Sequence, residues 1–341
     1  MKAAVRHEYG SPDVLHVEDV PTPTPRDREV LIRVHAASVN LGDWELLTGQ
    51  PRYIAVIARI FAPRPRAEVP SPRDAHGLFK PKYRILGCDI AGRVEAVGRG
   101  VTQFQPGDEV FGDCGIAGFG GFAEYVCVPE RAALVPKPAG MTFEQAAAVP
   151  QAASIALHGL HKQATLAPGM KVLINGAGGG AGTFAVQIAK TDGAEVTGVD
   201  GPDKLEMLHS IGADHVIDYT REEFTRNGQR YDVILDLAAY RSVFETRRSL
   251  TRDGIYLMAG GSGAVMAQAA FLGPLISMAG NGRVAILLAN WSRDDLTLIA
   301  ELFESGKVVP VIDGCYPLGE AGNALRRLGE KRSLGKVIIT P

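Results

Sequence analysis

The sequence predicts an α/β protein: a doubly wound parallel sheet joined to a β-barrel domain. Three features carry that prediction. From about Met141, strand and helix patterns alternate, the signature of a parallel sheet with helices on both faces. Inside that alternation, Val172 to Asp200 reads as strand, glycine-rich turn, helix and second strand. Before residue 140, and again from about 291, short apolar runs are separated by Pro and Gly, the punctuation of a small barrel or sandwich. The expected division is therefore 1–140 with 291–341 for the β domain and 141–290 for the parallel sheet.

In chain order, strands are expected at Ala3 to Val5, Leu15 to Val20 and Val30 to Val34, separated by SPD and the prolines of PTPTP. A helix-like segment, LGDWELLTG, follows. Residues 51–84 break the rhythm: YIAVIARIF leads into a stretch dense in proline and arginine, expected as a surface loop. It reads equally as an inert insertion or as the edge of a substrate pocket. Strands return at Ala91 to Val97, Glu109 to Phe111 and Glu124 to Val128, with Pro106, Gly107 and Asp108 as a turn. An Ala-rich helical stretch then opens on the capping-box pattern Thr142 to Gln145 and is expected to break at Pro150. The alternation that follows has strands at 172–174, 195–199, 216–217, 233–235, 255–258 and 284–288, with helices at 182–191, 203–211 and 241–250. A helix at 294–305 and short strands ending in KVIIT lead back to the first domain.

The glycine-rich turn has a physical reason for its composition. Gly176, Gly179 and Gly182 stand at GxxGxxG spacing, with Ala177, Gly178, Gly180 and Ala181 between them. Glycine admits positive φ and lets backbone approach a pyrophosphate with no Cβ in the way. The N–H groups that open the next helix then face the phosphates, and the helix dipole favours their charge. Asp200 closes the second strand roughly 20 residues on, where a dinucleotide-binding unit carries an acid for the ribose. Ligands of such sheets lie at the carboxyl ends of the strands, which adds Leu237, Ala238, Gly260, Gly261 and Ser262 to the candidate contacts. Lys204 and Tyr219 flank Asp200; Tyr219 either stacks near an adenine or simply packs.

Composition excludes several partners. Lys and Arg total 36 against 38 Asp and Glu, a formal charge of −2, which gives no electrostatic reason for a nucleic-acid or membrane partner. No apolar run approaches the roughly 20 residues that span a bilayer, and no secretory h-region follows Met1, so a cytoplasmic location is expected. Cys88, Cys114, Cys127 and Cys315 are scattered without a CxxC pair, which suits a reducing compartment and not a disulfide framework.

Taken together, ASVNLGDW at 37–44, ILGCDIAGRVEAVG at 85–98, FQPGDEVFG at 104–112, GGFAEYVCVPE at 120–130, FEQAAAVPQAA at 143–153, the turn at 172–190, IGADHVIDY at 211–219 and GKVIIT at 335–340 resemble one family. They resemble the medium-chain dehydrogenase/reductases, in the zinc-free quinone oxidoreductase branch. The resemblance covers nearly the whole chain. It implies a GroES-like β-barrel catalytic domain, a Rossmann NAD(P)-binding domain, and hydride transfer to a quinone or an α,β-unsaturated carbonyl.

In the superfamily's zinc alcohol dehydrogenases a Cys stands where this chain has Asn40, and His-Glu stands where it has Cys88-Asp89. Catalytic zinc takes about three protein ligands. Asn40 is a poor ligand, residues 151–154 offer no Cys, and Cys88 alone holds no metal, so no zinc is expected and Cys88 reads as a small buried residue. The acceptor must then be electrophilic already and needs a donor for its oxygen. Asn40 offers an amide N–H, Tyr53 a phenol, and Asp43 orientation; Asn40 and Asp43 read equally well as helix caps. Gln151 and Ile155 stand where relatives often carry a small apolar residue and a Thr, making Gln151 a further polar candidate.

Asp200 favours NAD(H), since a carboxylate binds ribose hydroxyls and repels a 2′-phosphate. Lys204 and the resemblance favour NADP(H), the cofactor expected here, with NAD(H) as the alternative. The competing functions are a zinc-type alcohol dehydrogenase and a non-catalytic, crystallin-like nucleotide-binding protein. The apolar strand at 283–290 would be the last of its sheet, and a homodimer pairing that edge with its copy would cover it.

Overall fold

The structure, a computed structural model, describes residues 1–49, 80–278, 282–287 and 291–341. Tyr53 and nearly all of the 51–84 segment, with its expected pocket role, lie outside the described residues. The chain forms two compact units, one of Met1–Gln151, Trp291–Glu304 and Ile312–Pro341, the other of Ala152–Asn290 and Ser305–Val311. The first boundary thus falls after Gln151 and not at 140. Helix Phe143–Ala147 belongs with the first unit because Phe143 stacks on His35, ring centroids 4.2 Å apart. Residues 305–311 return to the second unit, where Gln187 grips the backbone of Val309: Nε2 donates to its carbonyl at 3.0 Å, and Oε1 accepts its N–H at 2.8 Å.

In the first unit, β1 (Lys2–Val5) pairs antiparallel with β2 (His16–Asp19). A seven-stranded sheet holds β3 (Glu29–Val39), β4 (Asp89–Val97), β5 (Glu109–Asp113), β6 (Tyr125–Pro129), β7 (Leu134–Pro136) and the C-terminal strands Ile312–Pro317 and Lys336–Thr340. The long β3 organises it, pairing with β4, β6 and Lys336–Thr340 and bending at two register shifts. Alternate residues, among them Val30, Ile32, Ile90, Val94, Val110 and Val126, fill one core. The register sets Ser38 opposite Asp89, Asp89 opposite Asp113, and Val39 opposite Val337.

The second unit is a parallel sheet of β8 (Lys171–Asn175), β9 (Glu195–Asp200), β10 (His215–Asp218), β11 (Tyr231–Asp236), β12 (Leu250–Met258) and β13 (Arg283–Ile286). The order is β10-β9-β8-β11-β12-β13, so the strand order reverses between β8 and β11 as in doubly wound dinucleotide folds. β8 and β11 bury Val172, Leu173, Ile174, Val233, Ile234 and Leu235, which is why they read as unbroken apolar runs.

Several helices depart from the sequence reading. Pro150 begins helix Pro150–Leu157 and does not end one, because the first turn tolerates a missing N–H. The helix expected at 241–250 shrinks to Val243–Arg247, and its expected last residue, Leu250, opens β12. Helix Gly263–Met278 has no counterpart in the sequence reading: it is apolar on nearly every face and contains Pro274, so no helical period stands out. Helix Ala321–Gly329 occupies a stretch read as strands and turns. Among the described residues no helix is long and apolar enough to cross a membrane.

Candidate functional site

In the second unit, β8 ends at Asn175, Gly176 turns the chain at φ +82°, and helix Gly180–Thr191 starts from Gly179. The glycines are required by close approach. A Cβ on Gly182 would lie 2.3 Å from the Gly176 carbonyl oxygen and 2.5 Å from that of Ala177, and one on Gly178 would lie 2.5 Å from Lys204 Cδ. The N–H groups of the helix's first turn, at Gly180 to Gly182, have no carbonyl to bond within the helix. A cradle with no Cβ at Gly176, Gly178, Gly179, Gly180 or Gly182 and with free N–H groups opening the helix fits a dinucleotide pyrophosphate.

The other expected cofactor contacts gather at the same strand ends. Asp200 Oδ2 accepts the Gly178 N–H at 2.7 Å and Oδ1 the Gly201 N–H at 2.8 Å, while Lys204 Nζ stands 3.4 Å from Oδ1. Tyr219 is exposed and lies beside Gly201. Leu237 and Ala238 flank Gly176, and Gly260 to Ser262 dock on Ala239, which donates to the Gly260 carbonyl at 3.1 Å and accepts the Ser262 N–H at 2.8 Å.

Sequence reasoning missed the polar lattice beneath this turn. Asn175 Nδ2 donates to Asp236 Oδ1 at 2.7 Å and to the Ala238 carbonyl at 3.2 Å; Tyr256 donates its hydroxyl to Asp236 Oδ2 at 3.0 Å. Burial pushes the Asp236 carboxyl up to about 6, against opposing hydrogen bonds from Asn175, Tyr256 and the Ala238 N–H, the last at 3.1 Å. The available signal was a polar residue closing each of two apolar strands, at Asn175 and Asp236.

In the first unit, Asn40 follows β3 and caps helix Leu41–Thr48. Asp43 Oδ2 accepts the Asn40 backbone N–H at 2.9 Å and Oδ1 the Gly87 N–H at 2.9 Å. Asp43 therefore orients backbone, and burial pushes its carboxyl up to about 6. The Asn40 amide is committed inside the protein: Nδ2 donates to Asp89 Oδ2 at 3.0 Å and reaches Cys88 Sγ at 3.5 Å, and Oδ1 accepts from Lys336 Nζ at 2.6 Å. Asn40 thus holds the N-cap position and Asp43 accepts its N–H, while the Asn40 side chain faces inward and makes no cap hydrogen bond.

The strand register assembles a buried cluster around Asn40. Asp89 is wholly buried; its Oδ2 also accepts from Ser38 Oγ at 3.1 Å and the Gln151 N–H at 3.3 Å, with Lys336 Nζ 3.6 Å away. Its Oδ1 has no hydrogen-bond partner among the described residues. Gln151, half-buried, donates through Nε2 to Cys88 Sγ at 2.8 Å and Asp113 Oδ2 at 3.3 Å. Burial, with Asp89 adding to it, pushes the Asp113 carboxyl up to about 7. Burial and the surrounding acids push the Cys88 thiol up as well.

Cys88 is buried, as expected, yet it is not isolated: Cys88, Asp89 and Asp113 each place a ligand atom within 4.8 Å of the others. The donor set differs from the one the sequence comparison gives for the zinc alcohol dehydrogenases: one sulfur and two carboxylates, with Asn40 in place of a Cys. Cys88 Sγ already accepts from the Gln151 amide at 2.8 Å and lies 3.5 Å from the Asn40 amide. The Lys336 ammonium already stands beside Asp89 and takes the Asn40 oxygen.

Comparison with known proteins agrees with both units. Residues 26–139 match the alcohol dehydrogenase GroES-like domain and residues 211–339 the zinc-binding dehydrogenase model. The chain is 32% identical, over 97% of its length and 95% of the relative's, to a chloroplast envelope quinone oxidoreductase homolog of Arabidopsis thaliana. It is 32% identical to 2-methylene-furan-3-one reductase of Solanum lycopersicum, over 100% of this chain and 79% of that one. The quinone oxidoreductase of Coxiella burnetii superposes with a TM-score of 0.83 at 27% identity, covering 100% and 99% of the two chains. The chain belongs to the medium-chain dehydrogenase/reductase superfamily of oxidoreductases, in its quinone oxidoreductase branch.

Proposed function

We propose that the chain is a cytoplasmic, zinc-independent NADPH-dependent reductase of quinones or α,β-unsaturated carbonyls. The observation that carries this reading is the polar cluster, where the amides of Asn40 and Gln151 both reach Cys88 Sγ and Asn40 also accepts from Lys336. Without a Lewis acid an alcohol's proton is hard to remove, whereas an acceptor that is already electrophilic needs alignment and one hydrogen-bond donor. A bound nicotinamide supplies the hydride. Gly176 to Gly182 hold its pyrophosphate in this reading, and Lys204 partners a 2′-phosphate while Asp200 stays turned onto the Gly178 and Gly201 N–H groups. Gln151, the more exposed amide, donates to the acceptor oxygen by exchanging its longer bond, the one at 3.3 Å to Asp113 Oδ2; Asn40 and Asp43 position the cluster, and Tyr53 is a candidate second donor. The names of the two plant relatives support the acceptor class.

Oxidation of NADPH and NADH, measured side by side against a quinone, an enone and an aldehyde with and without chelator, tests this. Chelator-insensitive quinone or enone turnover, faster with NADPH, is expected; faster NADH turnover would give Asp200 the ribose. The zinc-type alcohol dehydrogenase reading, which the three converging ligand atoms favour, requires aldehyde turnover that chelation abolishes. Cofactor binding without any turnover would leave the crystallin-like alternative.

The same reading includes a homodimer. β13 ends the sheet, and the helix packed on it, whose Ser277 Oγ accepts the Val284 N–H at 3.1 Å, leaves Phe271 68% and Leu275 62% exposed. A second copy would cover edge and patch together. Light scattering should return twice the 36.3 kDa of one chain; a monomer would remove the proposal.

A further inference from the structure

We infer that Lys336 is the resident cation of the buried cluster: its ammonium occupies the role that a metal ion plays in zinc-dependent relatives, and it keeps a metal out. The inference rests on the zinc-independent reading above. Lys336 opens the C-terminal strand, and the pairing of Val337 with Val39 delivers it to the end of β3. There the side chain is 3% exposed. Its Nζ donates to Asn40 Oδ1 at 2.6 Å and to the Val39 carbonyl at 3.3 Å, and stands 3.6 Å from Asp89 Oδ2. The ammonium thus makes two hydrogen bonds and one ion pair.

The surroundings show what this cation does. Asp89 gathers donors on Oδ2 and leaves Oδ1 buried without a partner among the described residues, while Cys88 and Asp113 converge beside it. Without Lys336, those ligand atoms and the unpartnered oxygen would form an electron-rich, desolvated pocket suited to a divalent ion. With it, an incoming metal would share a low-dielectric space with a charge of the same sign. The ammonium also fixes the Asn40 amide, taking its oxygen and so turning Nδ2 toward Asp89 and Cys88.

The test uses the full chain with Co²⁺ as the probe, because a thiolate-to-cobalt charge-transfer band reports on the sulfur directly. Wild type, Lys336→Arg and Lys336→Gln are titrated, each also with Cys88→Ser to remove signal from other cysteines. No Cys88-dependent band is expected in wild type or Lys336→Arg. Lys336→Gln should develop one, with affinity at least about 100-fold above wild type. A Cys88-dependent band in wild type would overturn the inference and the zinc-independent reading together. A folded Lys336→Gln that binds no cobalt would overturn the inference alone. If Lys336→Gln does not fold by itself, refolding with Co²⁺ decides: a ligand of the native state rescues folding, and failure to rescue overturns the inference.

Discussion

The glycine-rich turn of the second unit and the polar cluster of the first both handle charge, by opposite means. The turn withholds side chains: Gly176 to Gly182 keep backbone close and leave helix N–H groups facing outward for an anionic guest. The cluster is filled by side chains, with Cys88, Asp89 and Asp113 buried about the Lys336 ammonium and the amides of Asn40 and Gln151. One is a shape waiting for a charge from outside; the other is closed upon its own charges. Added atoms should therefore damage the turn, and removed charge should relieve the cluster.

The largest effect is expected at Gly182. Alanine there places a methyl 2.3 Å from one backbone oxygen and 2.5 Å from another, and backbone cannot rotate aside as a side chain would. The helix-propensity gain of about 1 kcal/mol for Gly→Ala is small against that overlap. Gly182→Ala should weaken NADPH binding at least about 100-fold and cost about 2–3 kcal/mol of stability, read by fluorescence titration and chemical denaturation. Wild-type affinity in this variant would break the comparison at its first term.

Removing charge from the cluster should act the other way. In the folded protein the Asp113 carboxyl is raised to about 7, against about 3.9 in an unfolded chain. Between those values the folded state holds a proton that the unfolded state has lost, so this group's contribution to stability falls as pH rises from about 4 through 7. Asp113→Asn keeps the shape and an oxygen for the Gly115 N–H. It should stabilise by about 1–3 kcal/mol at pH 8 and by little at pH 5, an order-of-magnitude expectation for a buried acid beside Asp89. Urea denaturation of wild type and variant across pH 5–8 measures the difference. Equal slopes would move the dependence to Asp43 or Asp236, whose carboxyls are also raised.

The contrast also explains what could be read in the sequence. The turn is written in consecutive residues, strand to glycines to helix to Asp200, so local periodicity and spacing suffice. The cluster is drawn from residues 38–40, 88–89, 113, 151 and 336, which only the pairing of β3, β4, β5 and Lys336–Thr340 brings together. Nothing local to Asp113 or Lys336 says which strand lies alongside. Asn40, Cys88 and Gln151 were legible through the family resemblance, but the two partners that decide their chemistry, Lys336 and Asp113, were not. Helix Gly263–Met278 was hidden for another reason: an apolar stretch carrying Gly273 and Pro274 gives no helical period and two contrary signals.

The smallest effect is expected where a side chain does cross the turn. Lys204 packs over Gly178 and stands 3.4 Å from Asp200, both side chains being mostly buried at 13% and 11% exposed. Lys204→Ala removes the one cation paired with Asp200 among the described residues. Asp200 would then repel a 2′-phosphate and be free to accept from ribose hydroxyls. NADPH affinity should fall about tenfold, roughly the value of one charge-assisted pair, while NADH affinity holds or rises. Lys204→Arg should retain the preference. Parallel titrations with the two nucleotides separate the charge effect from loss of packing: an equal fall for both would show that Lys204 acts by covering Gly178, and the turn would depend on a side chain for its shape as the cluster does.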